Sequence, residues 1–402
     1  MSTYIYIIGE SETKIWGLSG QERLQRMLRS IKQTILVNSI EEIPATAPVL
    51  FLSANYLFDI RVLTALITMQ SQMALYSYHE MPVAVRTDSA QARQILKALL
   101  DNGTTRAISA LPRYDLKDLK IDFQQNLKKK DPPYLLPINQ TNRKLLEAEL
   151  FAGSYKGVTD LVTKWLWPWP AYWSTHFCVR YGIQPNQVTL LSLVFAVLAG
   201  IAFWQGYFGT GLAMGWFMTF LDTVDGKLAR VTVTSSRLGD ILDHGLDIIH
   251  PPIWYFAWGI GLATTLNPIT HLESLIWLMF IGYVGGRLCE GAFQLWLAPF
   301  DIFIWRKLDS FNRLITARRN PNLILLTYGW LTGRPDIGFL LVIIWHLLST
   351  AILSGRLIAG WRTWRHHRPL RSWLQDIDPS QDRNELAVRI FTRAPIESKN
   401  QG

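Results

Sequence analysis

Cysteine is almost missing from this 402-residue chain: Cys178 and Cys289 are the only two. That argues against a disulfide framework and against a structural zinc site. Acidic residues are the minority charge, 31 against 40 lysines and arginines, for a formal net charge of +9. No nucleic-acid-binding motif accompanies the excess, so nucleic acid is not an expected partner. No cleavable signal peptide is expected either, because the first residues run straight into the strand-like "TYIYIIG". Long apolar runs are absent up to about residue 155 and frequent from Gln187 onward. Several approach the ~20 residues that a bilayer's hydrocarbon core requires. Many of the seventeen tryptophans lie at the edges of these runs, where amphipathic rings sit at a membrane–water interface.

The composition therefore predicts an α-helical integral membrane bundle of six transmembrane helices, preceded by a soluble α/β domain. In residues 1–126, strand-like "YIYIIG", "PVLFLSA" and "MPVAVR" alternate with helical "GQERLQRMLRSIKQTI", "DIRVLTALITMQSQMAL" and "SAQARQILKALLDNG", a pattern of α/β units around a mainly parallel sheet. Residues 127–154 read as a basic linker and helix, and 155–184 as an amphipathic helix on the membrane interface, broken near Pro168 and Pro170. The membrane domain, 185–361, holds predicted spans at 187–205, 207–228, 239–264, 271–297, 321–333 and 336–360. Residues 362–402 read as a basic tail. "LKKKDPP" before the bundle and "WRTWRHHRPLR" after it place both ends on the cytoplasmic side by the positive-inside rule. Arg313, Arg318 and Arg319 between the fourth and fifth spans fit the same orientation.

Four aspartates stand out against this apolar background: Asp222, Asp225, Asp243 and Asp247. A carboxylate at the centre of a spanning helix costs ~2.5–3.5 kcal/mol on insertion scales, so such residues are functional candidates by default. The spacings i, i+3 and i, i+4 put each pair on one helix face. Two such faces turned together would crowd four negative charges, which then protonate or hold cations. Hard divalent ions, Mg²⁺ or Mn²⁺, suit an all-oxygen cage. Gly226, Ala229 and Gly239 leave the helix faces beside the carboxylates bare, and Arg230 offers a charge suited to phosphate.

The stretch "DTVDGKLARVTVTSSRLGDILDHGLD" resembles the signature of the CDP-alcohol phosphotransferase family. All eight fixed positions match across these 26 residues, with no insertion or gap. Upstream, Pro185, Asn186 and Thr189 in "QPNQVTLLS" resemble the segment that opens the family's first span. The resemblance covers roughly residues 155 to 360. It implies a six-helix fold, often homodimeric, with its active site facing the cytoplasm. It also implies two divalent ions held by Asp222, Asp225 and Asp243, with Asp247 as the base and a possible further ligand. Gly226, Ala229, Arg230 and Gly239 would shape the nucleotide pocket. A hydroxyl acceptor would attack the phosphorus carrying the donor alcohol, and CMP would leave. The expected donor is CDP-diacylglycerol, within phospholipid biosynthesis, with membrane lipid as a partner. The alternatives are a CDP-inositol-like donor joined to a polyol phosphate, and a non-catalytic membrane scaffold of the same fold.

Other charged residues have plainer readings beside functional ones. Lys156 and Lys164 could hold a substrate phosphate or contact lipid headgroups. Arg287 and Glu290, at i, i+3, could neutralise each other, or Arg287 could grip an anionic acceptor. His244 and His250 flank Asp247 on its helix, and Arg237 falls in the signature's variable stretch. The N-terminal region resembles the opening of sugar-nucleotide nucleotidyltransferases. It departs from them in the loop "GESETKIWG" and at Asn55, where that family has an aspartate. A degenerate domain that binds a partner or steadies the membrane part is the expectation.

Overall fold

The computed structural model describes residues 2–77, 80–101, 106–119, 121–234, 237–266 and 268–393, without the side chains of residues 106, 237–244 and 246. The N-terminal part builds on β1 (Thr3–Ile8), β2 (Thr34–Val37) and β3 (Pro48–Ser53), with helix α1 (Gly20–Arg29) between the first two strands. Ser19 starts α1 through a reciprocal cap: its hydroxyl accepts from Glu22 N, and the Glu22 carboxylate accepts from Ser19 N at 2.8 Å. There follow β4 (Tyr56–Phe58), α2 (Ile60–Thr68), β5 (Met73–Tyr76), β6 (Pro82–Asp88), α3 (Ser89–Leu100), α4 (Arg106–Ser109) and β7 (Arg113–Tyr114). The six-stranded sheet has the order β2-β1-β3-β6-β5-β7.

Three of the five strand pairings in the sheet are parallel, β1 with β2 and β3 and β5 with β7, while β6 is antiparallel to both β3 and β5. One expectation for this domain needs correction. The predicted helix "DIRVLTALITMQSQMAL" is two elements, because α2 stops at Thr68 and Met73–Tyr76 form a fully buried strand. A short apolar run buried on both faces lacks the periodicity that separates strand from helix.

The linker is ordered. Its strand β8 (Leu135–Pro137) pairs antiparallel with β4, and α5 (Arg143–Gly153) follows. A single wide turn, Val162–Leu166, leads to α6 (Pro168–Arg180), which has proline in its first turn, where a missing N–H costs nothing. Trp165, Trp169 and Trp173 on this stretch are exposed.

The helical part comprises α7 (Pro185–Trp204), α8 (Phe208–Val231), α9 (Arg237–Gly261), α10 (Leu272–Ala292), α11 (Lys307–Ile315), α12 (Arg319–Leu331), α13 (Pro335–His366) and α14 (Leu386–Phe391). Trp254 and Trp258 of α9 lie at its centre with Phe203, Phe339 and Leu326. Both indoles are satisfied, by Ala196 O at 2.8 Å and Pro335 O at 3.1 Å. Among the described residues, three stretches are long and apolar enough to cross a membrane: Pro185–Trp204, Leu272–Leu297 and Pro335–His366. They make this a multi-pass membrane protein. Four charged residues, Asp222, Asp225, Lys227 and Arg230, interrupt α8. At 13 residues α12 spans only ~20 Å.

The last segment is not a plain basic tail. Trp373, Leu374, Val388 and Phe391 are buried against Phe303 and Trp305 of the connection between α10 and α11. The chain end therefore folds back over the loops at one end of the bundle.

Candidate active site

The C-terminal half of α8 and the N-terminal half of α9 carry the signature, and α12 arrives beside both. Arg319, the first residue of α12, donates through one guanidinium nitrogen to Asp222 and through the other to Asp247 Oδ1 at 2.8 Å. A single side chain thus gathers carboxylates from two helices. Asp225 is buried, and Thr189 of α7 donates to its Oδ2 at 2.7 Å. Thr189 in turn sits one turn inside α7, which Pro185 opens. Three of the four predicted aspartates and the predicted Thr189 therefore form one neighbourhood. The side chains of Asp243, Gly239, His244 and Arg237 lie outside the described residues, although α9 itself includes all four positions.

The position of Arg319 is fixed by its neighbours. Asn320 donates to Asp160 Oδ1 at 2.9 Å, tying the start of α12 to the turn before α6. Asp160 accepts as well from the backbone N–H groups of Val162 and Thr163. Asn322 donates to the Tyr255 hydroxyl at 2.7 Å and meets His346 at 2.9 Å. In the sequence Arg319 counted only as one more loop cation. The signal available was an arginine directly before an Asn-Pro-Asn start to a short apolar helix.

Around the signature glycine the packing is looser than its sequence position implies. A Cβ on Gly226 would meet the Arg230 guanidinium at 3.5 Å, an ordinary contact. Arg230 donates to Ser154 O at 3.2 Å, and the buried Lys227 reaches the same carbonyl at 3.4 Å. The Lys227 ammonium also lies 3.7 Å from the centre of the Tyr155 ring, which compensates part of its burial. Sequence reading passed over Lys227 because it fills a variable position of the signature.

The remaining candidates divide. Glu290 pairs with Arg318 and lies 3.7 Å from Arg287, so it serves two arginines at once. His250 packs edge-on against Trp254. Lys164 donates to Gly157 O at 2.9 Å and faces the Phe391 ring, so it holds the folded-back chain end. Lys156 is exposed by surface area, yet its amine is crowded by neighbouring groups. Burial, reinforced by Lys128, Arg230 and Arg313, pushes its amine down to about 8. Arg313, two turns of chain away from Arg319, is pulled down to about 10 by burial and by Arg318. Its Nε and Nη1 have no hydrogen-bond partner among the described residues.

The α/β domain contacts the signature helix directly. Arg23 of α1 donates to Val231 O at 2.7 Å, and Arg26 donates to Thr232 O at 2.8 Å. These carbonyls end α8, where a helix leaves acceptors unpaired and favours positive charge. Trp16, from the loop after β1, is buried and stacks on His176 of α6 with ring centres 4.0 Å apart.

Known proteins share sequence with the segment that carries these residues. Residues 183–298 match the sequence pattern of the CDP-alcohol phosphatidyltransferases. Cholinephosphotransferase 1 of Mus musculus is 33% identical over 131 residues, 31% of this chain and 30% of the mouse protein. A bifunctional IPC transferase and DIPP synthase of Rubrobacter xylanophilus is 26% identical over 158 residues, 39% of this chain and 33% of that protein. An archaetidylinositol phosphate synthase of Pyrococcus horikoshii is 36% identical over 83 residues, 20% of this chain and 43% of that protein. The chain spans well under half the length of each of these relatives. The matched segment, residues 183–298, holds all four aspartates of the signature.

Proposed function

We propose that the chain transfers a substituted phosphate from a CDP-alcohol, with CDP-diacylglycerol as the first candidate, to a hydroxyl of a polar acceptor, releasing CMP. The observation that carries this is the convergence of Asp222 and Asp247, from two helices of the signature segment, on Arg319, with Asp225 one turn along α8 from Asp222. The carboxylates present suit Mg²⁺ or Mn²⁺: they are all-oxygen donors, and a cationic guanidinium already bridges two of them. Asp222, Asp225, Asp243 and Asp247 would hold the ions. Bound there, divalent ions would neutralise the donor's pyrophosphate and the charge developing on it.

The chain's own groups account for the rest. Thr189 fixes one oxygen of Asp225 and so holds that carboxylate in place. Arg230 and Lys227 place positive charge one turn beyond the carboxylates, near the donor's nucleotide. Asp247, whose side chain is 46% exposed, is the most accessible of the three described signature aspartates and the proposed proton acceptor. The acceptor oxygen bonds to phosphorus, its proton passes to Asp247, and the bond from phosphorus to the CMP oxygen breaks with its electron pair on CMP. Positioning and charge supply most of such a rate enhancement. Six crossings by α7–α10, α12 and α13, with the site and both chain ends cytoplasmic, fit the basic flanks.

A second reading gives the chain a CDP-polyol donor and a polyol phosphate acceptor. The charge of Lys156 and Arg313, two of whose nitrogens lack a hydrogen-bond partner among the described residues, favours an anionic acceptor. The test is CMP release by purified protein in nanodiscs with Mn²⁺. CDP-diacylglycerol and CDP-inositol would be offered with pooled polyols and polyol phosphates, and Asp247→Asn would serve as the blank. Release that disappears in the variant establishes the transfer and names the donor. Neither release nor cytidine-nucleotide binding would leave the scaffold reading.

A further inference from the structure

Between the α/β domain, the linker and the end of α8 lies a cavity of about 330 Å³, within the roughly 300–1,000 Å³ usual for small-molecule sites. One wall comes from the signature itself, Ala229 and Arg230. The opposite wall comes from Arg23 of α1, from Ser30 directly after that helix and from Leu57 and Phe58 of β4. Ala229 lies on α8 one turn beyond Asp225, ~6 Å along the axis and on the same face. The cavity therefore continues the line of the carboxylates, at about the distance that separates a nucleoside from its pyrophosphate.

Its chemistry suits a base and a sugar better than a bare phosphate. The acids around it are already matched: Asp59 with Arg61, Asp131 with Lys129, and Glu149 with Arg393. Arg23 is 5% exposed and makes no salt bridge among the described residues. One of its nitrogens serves the carbonyls of Ile15 and Val231, and its Nε has no hydrogen-bond partner among the described residues. A buried donor without an acceptor is destabilising, so its retention points to an acceptor that arrives from outside. The ring nitrogen and carbonyl of a cytosine are acceptors of that kind. Leu57 and Phe58, each 1% exposed, back the wall with apolar packing.

We propose that this cavity receives the nucleoside end of the CDP-alcohol, so that the α/β domain forms the far wall of the donor site. The domain is then part of substrate recognition in the membrane domain, with Arg23 a specificity residue for the base. This rests on the transferase reading above, and the experiment separates the two.

Full-length protein in nanodiscs with Mn²⁺ is titrated with CMP, and donor and acceptor KM values are measured. Ser30→Trp is the central variant, because Ser30 is exposed at the end of α1 and a tryptophan there fills the cavity without entering the core. It should weaken CMP binding and raise the donor KM by about tenfold, leaving the acceptor KM unchanged. Arg23→Met should act in the same direction. A photoreactive azido-cytidine monophosphate should label peptides that contain residues 23–30 or 57–61. Unchanged CMP affinity in Ser30→Trp, with label confined to α7–α9, would overturn the inference and leave the transferase reading standing. No CMP binding by the unaltered protein would sink both.

Discussion

At the residue scale, Arg319 is the side chain whose removal tells most. It neutralises Asp222 and Asp247 from a position 14% exposed, and removing one partner of a largely buried pair costs up to ~3–5 kcal/mol. The half-exposed Asp247 lowers that figure, because solvent takes up part of the lost charge. Arg319→Met should therefore lower the melting temperature in chelator, and added Mn²⁺ should raise it by more than in the unaltered protein. An equal Mn²⁺ shift in both would mean that the arginine and the ion do not share these carboxylates. Lys156 gives a second prediction. With its amine near 8 instead of the usual range above 10, it is protonated below pH 8 and mostly neutral above it. Acylation by an amine-selective reagent should therefore rise through a midpoint near pH 8, read by peptide mass spectrometry, ahead of ordinary surface lysines. The aspartates were legible in the sequence because carboxylates amid apolar residues are costly and their spacing marks a face. Arg319 was not, because a lone arginine beside other loop cations carries no spacing that distinguishes a site from a topology signal.

Elements place that arginine. The start of α12 is anchored by Asn320 and Asn322, and the far end by a close crossing with α13. A Cβ on Gly329 would stand 2.6 Å from Gly338 Cα and 2.9 Å from Arg334 O. No side chain fits there, as in other helix pairs that meet through small residues. Gly329→Ala should therefore destabilise the fold and, by tilting α12, draw Arg319 off Asp222. Gly355→Ala on α13, with nothing within 4 Å of the added carbon, should leave both stability and Mn²⁺ binding unchanged. A thermal scan with and without Mn²⁺ compares them, and equal behaviour of the two variants would refute the packing argument. The sequence made the helices of this bundle visible through their apolar length. It misjudged shorter elements: α2 and β5 were merged, since Gln70 and Gln72 interrupt the run without a glycine or proline to mark a turn. The antiparallel β6 was equally hidden, because strand direction depends on pairing across the sheet and leaves no local pattern.

At the scale of the whole molecule, the question is whether the α/β domain is an attached module or part of one machine. Its resemblance to a nucleotide-handling domain weakens in the loop after β1, and the structure shows that loop serving another purpose. Trp16 from this loop is 1% exposed, stacks on His176, and donates its indole N–H to Glu147 O at 2.9 Å. With Phe151, Leu221, Val224 and Leu228 it belongs to a cluster that runs from the α/β domain into α8. The contact is apolar, central and joined to the helix that carries Asp222 and Asp225. Truncating such a buried aromatic costs about 3–5 kcal/mol, and here most of that loss would fall on the junction. Trp16→Ala should therefore free the two parts before either unfolds. Limited proteolysis would then cut the linker near residues 138–142 faster than in the unaltered protein, while the released membrane part stays folded. The donor KM should rise with the loss of docking, and Trp16→Phe, which keeps the ring, should recover much of both effects. Unchanged cleavage and unchanged KM would show that the domain only sits beside the bundle.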